Sequence, residues 1–455
     1  MNTEQTSIAP LRLLAAFGLL AAIVGICTTE IGLFLPVAIL AAAYCAWSFP
    51  RPAVAVSTII LMNAYVMEGS SEITPLEIGV GVYLYGYLAY WFLARILVVR
   101  APILKRTSDY FLVAFLVLCV LSVAMLIAAN ARIDYWARGV LTLSSLLLCV
   151  PAREALQSRT GMRLIAGSFA ILVLTLAIVN IVQYRASTLL ANYLWEIWGG
   201  RKAFGSALYM ALTVGAAGMY AHLESSRERA LALLVGAVAI VALGTTFYRG
   251  FWIGALISLG VLFLLVPKSG RTRLFWVGLL GGGASALLVY LVAGELAESV
   301  FRGVAARFTS SGNAMEDISI ANRIAETETV LRLVPQSPIV GIGYGAFFHH
   351  YNIITKTTEV VHYVHNVYVF LLLKVGVIGL FLFLGYVGSL LVEGFRASRR
   401  AEESRFALGL IRISVAIIVG LLFVGTNSGI LEDKQVLLTI TLAAAIITSS
   451  PEAER

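Results

Sequence analysis

The residue in this sequence best suited to chemistry is His365, in the run Val361-His362-Tyr363-Val364-His365-Asn366 that leads into a long apolar stretch. An imidazole titrates near about 6.5, so it can take a proton at neutral pH. Arg249 is the second, at the tip of Phe247-Tyr248-Arg249-Gly250, which is all that separates two apolar stretches. Its planar donor fork matches a phosphate oxygen. Arg201 is the third, in Gly199-Gly200-Arg201-Lys202-Ala203-Phe204-Gly205-Ser206. Two such arginines on one face would clamp a diphosphate. Each residue also has a plainer reading: an interfacial histidine with no task, a snorkelling arginine, and an anchor at a span end.

The other chemistry-bearing groups lead to fewer functions. The turn Pro338-Ile339-Val340-Gly341-Ile342-Gly343-Tyr344-Gly345 is Gly-rich. It matches neither nucleotide-loop pattern and follows no strand, so it reads as a tight turn with a close backbone approach. His349, His350, His362 and His365 have no clustered cysteine or acidic ligand beside them, so no metal and no cofactor are expected. The four cysteines, Cys27, Cys45, Cys119 and Cys149, lie in apolar stretches and read as small core residues. Lys374 falls about 11 residues into an apolar stretch, where a charge is normally paired or functional.

The elements that must position these residues follow from composition. Of the 455 residues 60% are hydrophobic and 13% charged. A soluble domain carries about 25% charged residues, so a soluble domain, a disordered chain and a disulfide scaffold are all excluded. The expected fold is an all-α polytopic membrane protein with 12–14 transmembrane helices. The apolar windows are 11–28, 32–48, 53–67, 76–98, 109–129, 139–152, 162–184, 204–222, 230–247, 250–267, 275–293, 363–392, 406–427 and 435–449, of which the sixth and fourteenth are short. The first window has only Arg12 as a basic flank and reads as a retained helix.

The net charge of +8 is mainly a topology signal. Even-numbered loops hold about twice as many Lys and Arg as the short odd-numbered ones, which puts both termini in the cytoplasm. With no basic domain outside the membrane, nucleic acid is not an expected partner. Residues 294–362 then form one large outer loop containing short helices, between helices 1–11 (1–293) and helices 12–14 (363–455), in a single integrated membrane domain.

Within the loop, 295–308 and 319–334 have amphipathic helical spacing, with Ile320, Ile324, Thr327 and Leu331 on one stripe, Asp317 and Ser319 as caps, and Pro335 as the stop. A second outer segment, 185–203, carries Tyr193, Trp195 and Trp198, which suit a membrane interface. On a helical reading, His365 heads a stripe with Val369, Leu372, Gly376 and Gly379, whose glycines admit a close neighbour.

Together these motifs resemble the O-antigen ligase and polymerase superfamily of bacterial glycan transferases. His365-Asn366 followed by Gly376 and Gly379 is similar to the family's histidine motif at the start of a late span. Arg249-Gly250 resembles its Ser-Arg-Gly hairpin, with Tyr248 in the serine position. Arg323, followed by Pro338, Gly341, Gly343 and Gly345, resembles its arginine helix and Gly-rich turn. Arg201 with Phe204-Gly205-Ser206 resembles the segment before a central span, without the usual asparagine after the glycine. The resemblance covers roughly residues 195–430.

It implies metal-independent transfer of a glycan from an undecaprenyl-diphosphate-linked donor to an acceptor hydroxyl, at the periplasmic face of the inner membrane. His365 would be the catalytic base, and Arg249 and Arg201 would bind the diphosphate. Asn366, Arg323, Gly376, Gly341 and Gly343 would support them, Arg323 chiefly as a brace. The implied partners are the lipid-linked donor, a glycan or lipid A-core acceptor, membrane lipid, and a chain-length regulator or flippase. Within polysaccharide and lipopolysaccharide biosynthesis, polymerase, ligase and protein glycosylation remain open, with a lean to polymerase.

A transporter or flippase for a lipid-linked glycan is the rival class. It would show repeats and intramembrane carboxylates, and every Asp and Glu here falls near a span end or in a loop. A peptidoglycan-type glycosyltransferase would want an outer carboxylate, for which Glu326 and Asp317 are the attractive residues.

Overall fold

The computed structural model describes residues 31–65, 74–188, 196, 205–293, 298, 301–305, 318–400 and 404–449. The first apolar window, Cys27, Arg201, Tyr193, Trp195, Trp198 and Asp317 lie outside the described residues, as does most of the helix expected over 295–308.

Every expected window from 32–48 onward falls on a helix. In chain order these are α1 (Ile31–Ser48), α2 (Pro52–Met62), α3 (Pro75–Leu93, extended by Ala94–Val99), α4 (Thr107–Leu121, extended by Val123–Ala128) and α5 (Asp134–Ser144, continued to Ala155). They continue with α6 (Arg159–Thr188), α7 (Ser206–His222), α8 (Ser226–Thr245), α9 (Arg249–Leu265) and α10 (Lys268–Ala293). Eight helices, counted among the described residues, are long and apolar enough to cross a membrane, and four shorter apolar helices accompany them. The chain is thus a multi-pass, essentially all-α membrane protein.

Local signals set the helix ends. Thr74 and Glu77 close a reciprocal capping box ahead of Pro75, and Ser404 caps α13 (Arg405–Val424) by accepting from Ala407 N. The last helix, α14, is Lys434–Ser449.

The chain divides into two compact units. The described residues of the first are 31–105 and 147–172. There α2 packs on the helical segment Cys149–Ala155, Phe49 sits among Tyr83, Tyr87 and Tyr90, and Trp91 donates to Glu154 at 2.9 Å. None of the site residues expected from sequence lies in it.

The described residues of the second unit fall within 106–146 and 173–449. At its centre α7 packs against α8 and α13, and α9 also packs on α13. Most of α7 is buried, so it is apolar all round rather than amphipathic.

The 294–362 segment belongs to this second unit and differs from expectation in three ways. It contains a hairpin as well as helix: β1 (Phe348–Asn352) pairs antiparallel with β2 (Thr357–Val361), from Phe348↔Val361 to Asn352↔Thr357. Its helix α11 (Ile318–Leu333) takes Ser319 inside rather than using it as a cap. The stripe that α11 buries is not the apolar one. Asn322, Glu326 and Val330 face inward, while Ile324 and Leu331 are about half exposed, at 47% and 48%. A polar pair was buried because it had partners, and hydropathy spacing carries no sign of that.

The long helix α12 (Val367–Ala397) corrects the histidine stripe. Asn366 is its N-cap, accepting from Tyr368 N and Val369 N, so His365 stands ahead of the helix rather than on it. The helix also breaks at Gly376, with φ 66° and ψ −170°, so no single face runs from residue 365 to 379.

Candidate functional site

His365 is held on both ring nitrogens. Nδ1 lies 2.9 Å from Glu326 Oε2, and the same oxygen accepts the backbone N–H of His365 at 2.9 Å. A carboxylate only accepts, so Nδ1 carries the ring proton and the neutral imidazole presents Nε2 as an acceptor. Tyr363 fills that position, its hydroxyl 2.6 Å from Nε2. Glu326 is 3% exposed, and its carboxylate is buried against the histidine it orients. The His365 side chain is 25% exposed, which leaves the pair at an accessible edge. A fixed tautomer, a buried carboxylate on Nδ1 and a hydroxyl hydrogen-bonded to Nε2 give the pair the chemical means to take up a proton.

Arg323, three residues before Glu326 and on the same side of α11, ties two further segments to this pair. Its Nη1 donates to Asn427 O at 3.1 Å and to Asn427 Oδ1 at 2.9 Å. The guanidinium lies over the Tyr248 ring at 5.8 Å, and Tyr248 donates to Ser428 Oγ at 3.2 Å. Arg323 thus braces the 425–433 loop and the α8–α9 hairpin.

Arg249 is the first residue of α9, next to Tyr248, and is partly buried. The hairpin is as tight as expected, and Phe247 takes a left-handed φ of 50° to make it. The structure therefore brings the segments of His365, Arg323 and Arg249 together.

Gly341, Gly343 and Gly376 turn out to have one shared task. The break at Gly376 leaves carbonyls and N–H groups of α12 without helical partners, a costly state inside a membrane. The Gly-rich turn supplies replacements. Ile342 N donates to Leu373 O at 2.8 Å and Gly343 N to Lys374 O at 3.0 Å, while Val377 N donates to Pro338 O at 2.9 Å and Ile378 N to Ile339 O at 3.3 Å. The backbones approach so closely that a Cβ at Gly376 would lie 2.1 Å from Ile339 O. These glycines shape the backbone and carry no chemistry of their own.

Lys374 sits at the same break, fully buried, donating to Ala346 O between the rings of Phe348 and Phe370. The carboxylate that interacts with it, Glu432, comes from the loop before α14 and not from another span. Glu432 also lies 3.7 Å from His362 Nε2. Burial pushes the Glu432 carboxyl up to about 7, against the pull of Lys374. Burial, then Lys374, pushes His362 down.

Burial also raises the Tyr363 phenol, with Glu326 and Tyr248 adding and Arg323 opposing. Among the described residues no three His, Cys, Asp or Glu converge as metal ligands, and Cys45, Cys119 and Cys149 are buried and in no disulfide.

Sequence reading missed Glu326 as the partner of His365, Tyr363 as its cap, and Asn427 and Glu432 altogether. Glu326 and His365 are 39 residues apart, and a contact of that span leaves no local spacing. The polar run Thr426-Asn427-Ser428 with Glu432-Asp433, wedged between two apolar helices, is the one signal that could have pointed to the loop.

Residues 230–384 match the family model described as O-antigen ligase. No curated protein matches the chain. Arg249, Arg323, Glu326, Tyr363, His365 and Gly376 fall inside the matched stretch, whereas Asn427 and Glu432 lie beyond it.

Proposed function

For this chain, a member of the O-antigen ligase and polymerase superfamily, we propose a metal-independent transfer of a glycan from an undecaprenyl-diphosphate-linked donor to an acceptor hydroxyl. Membership of the superfamily indicates glycosyl transfer of the ligase or polymerase type in a multi-pass membrane protein. The finer reading places the reaction at the periplasmic face of the bacterial inner membrane, within one integrated membrane domain whose 294–362 segment is the periplasmic loop.

The observation that carries the reading is the His365–Glu326 contact of 2.9 Å with Nε2 turned away from the carboxylate. His365 takes the acceptor proton as the hydroxyl attacks the anomeric carbon. Glu326 holds the tautomer and balances the imidazolium. Arg249, with Arg201, neutralises charge that develops on the departing diphosphate. Arg323 is the brace that keeps the hairpin in place. The acceptor is a growing glycan or a lipid A-core, with polymerisation the favoured outcome, and membrane lipid, a chain-length regulator and a flippase are the expected associates.

The test uses the full-length protein in nanodiscs, with a fluorescent oligosaccharide on undecaprenyl diphosphate as donor. The readout is release of the lipid diphosphate. His365→Ala should lower turnover by about 10²–10⁴-fold with thermal stability preserved. Arg249→Ala should lower it by about 10²–10³-fold, and Arg249→Lys should restore only part. Undiminished turnover in His365→Ala overturns the base assignment. Loss of turnover on chelation overturns the metal-free chemistry.

A further inference from the structure

Both nitrogens of the proposed base are already engaged. Nδ1 is committed to Glu326 at 2.9 Å, and Nε2 faces the Tyr363 hydroxyl at 2.6 Å. An acceptor hydroxyl therefore finds no bare lone pair on the imidazole. It finds the phenol oxygen, which donates one proton and has lone pairs left to accept another. The rings of Tyr363 and His365 lie 4.8 Å apart, a spacing that keeps the phenol close against the imidazole. Tyr363 and His365 are both partly exposed.

On the glycosyl-transfer reading above, we infer that Tyr363 is the proton carrier between the acceptor hydroxyl and His365 Nε2. The acceptor O–H bond breaks and its proton passes to Tyr363 Oη. The phenolic proton passes in the same step to His365 Nε2. The acceptor oxygen bonds to the anomeric carbon, and the bond from that carbon to the diphosphate breaks with its electron pair remaining on the phosphate oxygen. The imidazolium that results sits against the Glu326 carboxylate, and the phenol ends the step with a proton restored. The environment keeps Tyr363 protonated at neutral pH, because burial and the neighbouring Glu326 both disfavour phenolate. A protonated phenol is the form that a carrier needs.

The rival role for Tyr363 is a simple cap that swings aside when the acceptor arrives. The two roles differ in measurable ways. With the same nanodisc protein and fluorescent undecaprenyl-diphosphate donor, Tyr363→Phe should lower kcat by about 10²-fold while KM for the donor stays within about twofold. Mixed H₂O/D₂O rate measurements should give a curved proton inventory for the native protein, from two protons in flight, and a straight one for Tyr363→Phe. The double variant His365→Ala/Tyr363→Phe should be no slower than His365→Ala alone, since the two groups act as a unit. If Tyr363→Phe fails to fold, 4-fluorophenylalanine at 363 nearly keeps the size of the side chain while replacing the proton-carrying hydroxyl with fluorine, with the same loss expected.

Native or faster turnover in the Phe or fluorophenylalanine variant, with His365→Ala inactive, overturns the carrier and leaves the base in place. Losses that multiply in the double variant also overturn it. Full turnover in His365→Ala removes the glycosyl-transfer base itself, a separate failure.

Discussion

Two histidines three residues apart meet two carboxylates in different ways. His365 Nδ1 and the His365 backbone N–H converge on Glu326 at 2.9 Å, a directional pair presented by α11. His362 meets Glu432 at 3.7 Å, beyond hydrogen-bond length, from the loop ahead of α14. The first pair fixes a tautomer and leaves one nitrogen working. The second balances charge around the buried Lys374, with Glu432 pushed up to about 7 by its surroundings. The lesson is that a His–carboxylate pair reads as a base only where geometry, not mere proximity, commits the carboxylate to one ring nitrogen.

The comparison breaks first at Glu326. Glu326→Gln keeps the size of the side chain but offers an amide in place of a carboxylate, so Nδ1 can be left facing a donor and the imidazolium loses its counter-charge. The expected loss in turnover is about 10³–10⁴-fold, the scale of a carboxylate-to-amide change behind a catalytic histidine. Glu432→Gln should stay within a few fold of native in the same assay. Equal losses in the two variants would erase the distinction drawn between the pairs.

The next effect is on folding. Both pairs depend on the broken helix α12, because the break fixes the Gly-rich turn between α11 and β1. Gly376→Ala places a side chain at φ 66°, ψ −170°, a region essentially reserved for glycine, with its Cβ 2.1 Å from Ile339 O. Backbone strain alone costs about 1–3 kcal/mol, and the clash adds to it. The thermal midpoint should drop and protease sensitivity should rise. Gly388→Ala, further along α12 with nothing within 4 Å of the added carbon, is the matched control and should lose no stability, since alanine favours a helix interior over glycine by up to about 1 kcal/mol.

The same contrast shows what a sequence can disclose. The helices were legible because membrane spans are long, apolar and uniform, a signal that needs no tertiary knowledge. His365 and Arg249 stood out because each departs from its local background. Gly376 stood out too, but as a packing surface, when its real role is a backbone corner that only its φ reveals. Glu326 lay in plain view on a correctly placed helix, yet the inward face of that helix was misassigned. Hydropathy favoured Ile324 and Leu331, whereas Glu326 is buried because the N–H groups of His365 and its ring satisfy it. Burial of a polar residue is decided by its partner, and here the partner is 39 positions away.

The smallest expected effect concerns the second pair and its pH dependence. The Glu432 carboxyl sits at about 7 in the folded protein against an ordinary value of 4.5. Between those values the folded state keeps a proton that the unfolded chain has released. The resulting stabilisation is complete below 4.5 and is lost as pH rises through about 7. His362 works in the opposite direction: its value is lowered, so its contribution is present above its ordinary 6.5 and is lost as pH falls. The two partly cancel in the native protein, which hides each from a simple pH–stability curve. Comparing thermal midpoints of Glu432→Gln and the native protein removes the shared His362 contribution. The variant should gain on the native protein as pH rises from about 4.5 to about 7 and hold that gain above it. A difference that does not change with pH would mean that Glu432 is not the proton-holding group of the second pair, and that its distance from His362 alone separates the two histidines.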